Sequence, residues 1–327
     1  MESYSARILC CPQCTALLET SSEHEGLDCT CCSLSFPIRN GVPVLVISEA
    51  TARPIPTDPE FDQLINQALE APFHGWDLSW LESRKTTTFI GADNPMQMYD
   101  ARAADLVAQS TAVLDLGTGD GHRFASYAPF PGYACATESY PPNVPLASDR
   151  LGPLGVQVVW ADPNCHNSRG PQPGNRWPER RLPFADQTFD LVLASRSAFS
   201  PREVARILRP DGTVLTIQGG TEWRGETLAD ALCGTPPEWT QPGSGWEVGD
   251  SFLRAGFHIV DWIEHAWTTT YHDIAAVVCE LLHVPWSIVD FDVERYRDRL
   301  FALHRRMQAE GGFRTRGYTR LIEARKR

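Results

Sequence analysis

Two groups of residues in this 327-residue chain have types and spacings that can do chemistry. The first is Cys11-Pro12-Gln13-Cys14, followed after fourteen residues by Cys29-Thr30-Cys31-Cys32. A C-x-x-C turn aims two thiolates at one point, and four sulfurs complete the soft tetrahedral shell that zinc accepts. The x2 spacing selects Cys11, Cys14, Cys29 and Cys32, with Cys10 open as an alternative to Cys11 and Cys31 to Cys32. Six of the ten cysteines fall in this short stretch, a pattern of metal ligation rather than of a disulfide framework. Reduced thiols without metal are the competing reading. Four protein ligands leave no open position, so the zinc is expected to be structural. It would supply folding energy to a unit too small for an adequate core.

The second group begins in Ala112-Val113-Leu114-Asp115-Leu116-Gly117-Thr118-Gly119-Asp120-Gly121. A short apolar strand runs into Gly-x-Gly-x-Gly, and glycines there allow backbone angles and close approaches that other residues resist. Such a turn presents backbone N–H groups to a ligand. A second strand, 133–138, ends at Glu138, where an acidic residue can bind ribose hydroxyls. A third, 156–161, precedes Asp162, and a fourth, 189–194, precedes Ser195-Arg196. The dinucleotide fingerprint G-x-G-x-x-G is absent: its third position falls on His122 or Phe124, depending on register.

Positioning these residues requires an alternation of strands and helices. A fifth strand spans 212–217, a sixth 257–264 and a seventh 318–325, with helices between. The pattern predicts an α/β, Rossmann-like, doubly wound and mostly parallel seven-stranded sheet. Helical spacing at Phe61, Leu64, Ile65 and Leu69 follows a Pro-rich linker, and helices are expected from Ile274 to Leu282 and from Val293 to Met307. The expected domains are a zinc ribbon over 1–48, a linker and helical lid over 49–100, and an α/β domain over 101–327. The last carries a helical substrate-binding insertion at about 265–317.

With the Asn40-Gly41 turn between short apolar strands, the cysteine pairs resemble the zinc-ribbon family of methyltransferase activator proteins over residues 7–48. The glycine loop, Glu138, Leu182-Pro183-Phe184 and Leu208-Arg209-Pro210-Asp211-Gly212 together resemble the class I S-adenosylmethionine-dependent methyltransferases over about 76–327. The resemblance implies that Asp115, Gly117, Thr118, Gly119 and Gly121 line the methionine and adenosine side of S-adenosylmethionine. It also implies that Glu138 takes the ribose, Asp162 sits near the adenine, Ser195 stands at the mouth, and the seventh strand runs antiparallel.

Methyl transfer needs an aligned nucleophile and, for some acceptors, a base. His272 and His265 are the candidate bases, with Asp273 a candidate to orient His272. The expected acceptor is a small molecule methylated on O or N. A formal charge of −12 disfavours a bulk polyanion partner, and the ribbon segment is itself acidic. Against this, residues 295–327 hold ten Arg and one Lys facing Asp298, Glu310 and Glu323, read as a solvated face over an anion-binding one. The alternatives are an rRNA or tRNA base methyltransferase and a non-catalytic cofactor-binding scaffold. No apolar run reaches membrane-spanning length and the N-terminus does not read as a secretory signal, so a cytoplasmic protein is expected.

Overall fold

The computed structural model describes residues 9–13, 17–21, 24–29, 34–52, 58–73, 78–91, 94–130, 132–161, 182–219, 226–233, 248–284, 287–288 and 291–327. The N-terminal unit is a small antiparallel sheet of β1 (Leu18–Thr20), β2 (Gly26–Cys29), β3 (Leu34–Arg39), β4 (Val42–Pro43) and β5 (Thr51–Ala52). Asn40 and Gly41 have φ of 50° and 74°, the pair of left-handed residues that a tight hairpin needs, and they join β3 to β4 in the expected register.

The second sheet holds β6 (Lys85–Ile90), β7 (Ala112–Leu116), β8 (Tyr133–Glu138), β9 (Val156–Trp160), β10 (Phe189–Ser195), β11 (Leu208–Gly219), β12 (Phe257–Tyr271) and β13 (Phe313–Lys326). Its order is β6-β12-β13-β11-β10-β7-β8-β9. The central β9, β8, β7, β10 and β11 are mutually parallel, and β13 is antiparallel to both β11 and β12. This is the mostly parallel Rossmann-like sheet with a reversed seventh strand, as the methyltransferase resemblance implied. It has eight strands instead of seven. The extra one, β6, pairs with the far half of β12, because Thr268-Thr269-Thr270 continue the sixth strand instead of leaving it.

Helices cover both faces. Tyr99, Ala103 and Val107 of α2 (Pro95–Gln109), Phe124 of α3 (His122–Ala125) and Ala147 and Leu151 of α4 (Asn143–Leu151) pack on one. Val204 and Ile207 of α5 (Pro201–Ile207) and Phe252 of α7 (Val248–Arg254) pack on the other. Burial on both faces is why β7 is apolar at every position but Asp115.

A third core lies beyond the sheet. It joins α1 (Pro59–Leu69), α6 (Leu228–Cys233), α8 (Ile274–His283) and α9 (Arg297–Glu310), with Tyr271 and Phe313 from the extended β12–β13 hairpin beneath them. The helix α8 is apolar almost all round and is correspondingly buried, and Asp273 caps it by accepting the Ala276 amide at 2.9 Å. The cap therefore draws its helices from three distant stretches of chain. Gly317 is where β13 passes under the ring of Trp267: a Cβ there would lie 2.4 Å from the indole.

Candidate cofactor site and zinc ribbon

Every residue of β7 is buried, so the chain must turn sharply where the strand ends. Gly117, Gly119 and Gly121 make that turn with φ of 67°, 64° and 80°. Gly117 is doubly constrained, because a Cβ there would lie 2.2 Å from the hydroxyl oxygen of Ser197. The turn is laced to β8. The Thr118 amide donates to the Thr137 carbonyl at 2.8 Å, and the Gly117 amide donates to the Thr137 hydroxyl oxygen at 3.2 Å.

Glu138 completes this lacing. Its Oε2 accepts the Gly119 amide at 2.6 Å, while Oε1 accepts the amides of Ser139 and Tyr140 at 2.7 Å each. Burial raises the carboxyl above its ordinary pKa against three amide donors that favour the charged form. Asp115, on β7 beside the turn, is 8% exposed, and burial pushes it up to about 7; the Thr118 hydroxyl and the Arg123 guanidinium oppose the shift. Tyr99 of α2 is buried, and burial and the charge of Asp115 both raise its phenol well above the usual range. Arg123 is fastened to Asp100, which also accepts the Tyr127 hydroxyl at 2.6 Å.

Ser195 ends β10 next to the loop, as expected. Arg196 follows in a left-handed conformation, φ 53°, with its amide on the Ile217 carbonyl at 2.8 Å. Arg196 is exposed and, although the charge of Glu280 acts on it, forms no ion pair with a carboxylate among the described residues. Desolvation by the surrounding protein lowers its pKa, as does the charge of Arg123. The structure thus brings together Asp115, Gly117, Thr118, Gly119, Gly121, Glu138 and Ser195. Asp162 lies outside the described residues.

Neither candidate base joins them. His265 pairs across β12–β13 with Thr319, level with Gly219 at the end of β11, and four strand steps, about 19 Å, separate β12 from β7. Its Nε2 is buried without a hydrogen-bond partner. His272 stands seven residues further along, about 23 Å beyond that level. It is exposed, and its Nε2 meets the Thr86 hydroxyl at 2.8 Å. Asp273 does not orient His272. Besides capping α8, it forms an ion pair with Arg84 at 2.6 Å. Sequence reasoning had no signal for Tyr99 or Ser197, whose roles depend on which helix and loop the sheet brings beside Asp115 and Gly117.

Four of the ten C-terminal arginines act as internal latches. Arg306 holds Glu226 with two bonds of 2.7 Å, Arg320 holds Glu264 at 2.6 Å, Arg299 donates to the Leu232 carbonyl and Arg297 to Asp62.

In the N-terminal unit, Cys11 and Cys29 are each 1% exposed and pack with Leu18, Leu27 and Phe36. Cys10 is exposed, which separates it from its neighbour and favours Cys11 as the ligand. The Leu18 amide bonds the Leu9 carbonyl at 3.0 Å, and Leu18 is registered with Cys29. That row puts Cys11 and Cys29 at the same end of the small sheet, where one ion can be shared. Two buried thiol side chains converging on one end suit a thiolate site. Cys14 and Cys32 lie outside the described residues. His24 ties the hairpin by bonding Ser21 at 3.0 Å and Ser35 at 2.7 Å, and Ser35 donates to Asp28 at 2.6 Å.

The Trm112p-like protein family matches residues 7–41. A UPF0434 protein of Edwardsiella ictaluri is 40% identical over 58 residues, which make up 18% of this chain and 97% of that protein. One from Ralstonia nicotianae is 38% identical over 61 residues, 18% of this chain and 98% of its own length. Through its N-terminal unit, the chain belongs to the Trm112p-like UPF0434 family. The UPF0434 segment comprises the ribbon alone, so the α/β unit is an addition to it. Among solved structures, the YcgJ protein from Bacillus subtilis aligns over 71% of this chain and 99% of its own, with TM-score 0.45 and 17% identity. A SAM-dependent methyltransferase from Thiobacillus denitrificans, in complex with S-adenosyl-L-homocysteine, aligns over 70% and 91%, with TM-score 0.39 and 17% identity. No helix among the described residues is long and apolar enough to cross a membrane.

Proposed function

We propose that the protein is an S-adenosylmethionine-dependent methyltransferase acting on a small molecule, with the ribbon's zinc structural. One observation carries the reading: of three left-handed glycines at the end of β7, the middle one, Gly119, is tied to a buried carboxylate at the end of β8, inside a sheet of the methyltransferase order. The turn lies at the carboxyl ends of the parallel strands, where open α/β sheets bind ligands. The residues fit the cofactor. Gly117 lets the turn pass against Ser197, where no Cβ would fit, and the buried carboxyl groups of Asp115 and Glu138 suit an ammonium and a ribose.

S-adenosylmethionine supplies an electrophilic methyl group on a sulfonium. The chain's own work is to hold Asp115 ionised against a cation, to offer Glu138 to hydroxyls, and to align an acceptor in line with the methyl group. Arg196, without a carboxylate partner at the end of β10, would orient an acceptor bearing an anionic group.

The test is calorimetry with S-adenosylmethionine and S-adenosylhomocysteine on the intact chain, followed by methyl-transfer assays on small carboxylate-bearing amines and phenols. Lack of cofactor binding would end the methyltransferase reading. Cofactor binding without transfer to any small acceptor, together with salt-dependent affinity for tRNA or rRNA, would move the acceptor to nucleic acid.

A further inference from the structure

We infer a second metal site, for a divalent first-row cation such as Zn2+ or Mn2+, formed by Asp58, Glu60 and His304 where the start of α1 meets α9. One oxygen of each carboxylate and one ring nitrogen of His304 lie within 4.8 Å of one another. His304 is 2% exposed, and its Nε2 is buried with no hydrogen-bond partner. An imidazole nitrogen stranded in an apolar setting costs about 1–3 kcal/mol unless something satisfies it. The ring is clamped in place by Phe61, 5.5 Å away between centroids, and Phe301, at 6.4 Å. It is therefore held as a fixed ligand, while the exposed Glu60 side chain on the solvent side can adjust.

The donor set decides the class of ion. One imidazole and two carboxylates are harder than the four thiolates of the ribbon and suit Zn2+, Mn2+ or a similar ion, with water completing the shell on the exposed side. Ligands about 2.1 Å from an ion lie at most about 4.2 Å apart. Closing the cluster by about an ångström is within reach of the exposed Glu60 side chain. Asp58 keeps Oδ2 for the ion, because its Oδ1 accepts the Glu60 and Phe61 amides at 3.0 and 3.3 Å as the cap of α1.

Three features oppose a cation. The N-terminus of α1 is the positive end of a helix. Arg305 approaches Asp58 Oδ2 to 3.9 Å, and Gln308 donates to Glu60 at 3.2 Å. Arg305 is 63% exposed, so releasing it costs little. These oppositions point to binding that is weaker than at the ribbon. Occupancy would pin the segment between the ribbon and the α/β unit onto the last helix of the cap.

The experiment uses the full chain with its ribbon loaded. Equilibrium dialysis against excess Zn2+ is read by elemental analysis, and Co2+ substitution is read by absorption. Glu60→Gln removes an exposed ligand with no burden on folding, Asp58→Asn keeps the helix cap, and His304→Gln removes the fixed ligand. The wild type is expected to hold one equivalent more than each variant, and its added Co2+ should show ligand-field bands with no thiolate charge transfer. Added Zn2+ should raise the wild-type Tm and leave that of Glu60→Gln unchanged. Equal stoichiometry in the wild type and Glu60→Gln, or thiolate charge transfer from the added ion, would overturn the site. Neither outcome bears on cofactor binding.

Discussion

The Gly119 amide donates a 2.6 Å hydrogen bond to Oε2 of Glu138, so the ends of β7 and β8 are closed on each other through one carboxylate. A Glu138→Gln change keeps an acceptor for Gly119 but removes the charge that three amides favour. Cofactor affinity should fall at least ten-fold, and the Tm should drop, because the new NH2 group faces the Ser139 and Tyr140 amides that Oε1 now accepts. Titration calorimetry checks this, and wild-type affinity in the variant would remove Glu138 from the cofactor site.

Asp115 provides a pH-dependent test. Its carboxyl is held near pH 7 in the folded chain, against 3.8 as a free side chain. An acid whose pKa is raised by folding stabilises the fold below its unfolded pKa, and that contribution is lost as pH rises from about 4 to about 7. Asp115→Asn should therefore stabilise the fold at pH 8, by on the order of a few kcal/mol and with a higher Tm, and bring no such gain at pH 4. It should also weaken cofactor binding, the usual exchange of stability for function at a strained site. Melting curves at the two pH values decide the matter; an identical shift at both would refute the burial argument.

Gly117 and Ser197 should be energetically coupled. Gly117→Ala adds a Cβ 2.2 Å from the Ser197 hydroxyl and also strains a left-handed φ. Ser197→Gly removes the clash and leaves the φ cost of about 1 kcal/mol. The double variant should thus regain part, and only part, of the stability lost by Gly117→Ala, as a double-mutant cycle would show.

Arg102 of α2 grips Glu323 of β13 through two bonds of 2.7 and 2.8 Å, and Glu323 is 6% exposed. Arg102→Met leaves that carboxylate buried without its cation and should cost about 2–4 kcal/mol. Adding Glu323→Gln should recover most of the loss in urea unfolding. Two independent, additive losses would contradict a linked pair.

Zinc removal should act on the ribbon alone. Its core consists of Cys11, Leu18, Leu27, Cys29 and Phe36, separate from the three cores of the larger unit. Strong chelation or Cys11→Ser is expected to release zinc and abolish a low-amplitude transition while the main melting transition stays in place. A single melting transition that moves as a whole would mean that the two units fold together.

What could be read without coordinates was local. The cysteine spacing, the Asn40-Gly41 hairpin, the glycine turn after an apolar strand and Glu138 at the next strand's end are each a few residues whose types limit the backbone or the ligand directly. The parallel strands were legible for the same reason: burial on both faces makes them mostly apolar runs. The strand β6 was not, because Lys85-Thr86-Thr87-Thr88 alternates no apolar side chain and becomes a strand only when Thr268-Thr269-Thr270 lie beside it. That pairing lengthens β12, carries His272 away from the glycine turn and commits Asp273 to α8 and Arg84. Tertiary structure alone also set the Asp115 carboxyl near 7 and stranded the His304 nitrogen. Protonation and hydrogen bonding answer to the groups brought alongside, and those groups come from chain segments far apart in sequence.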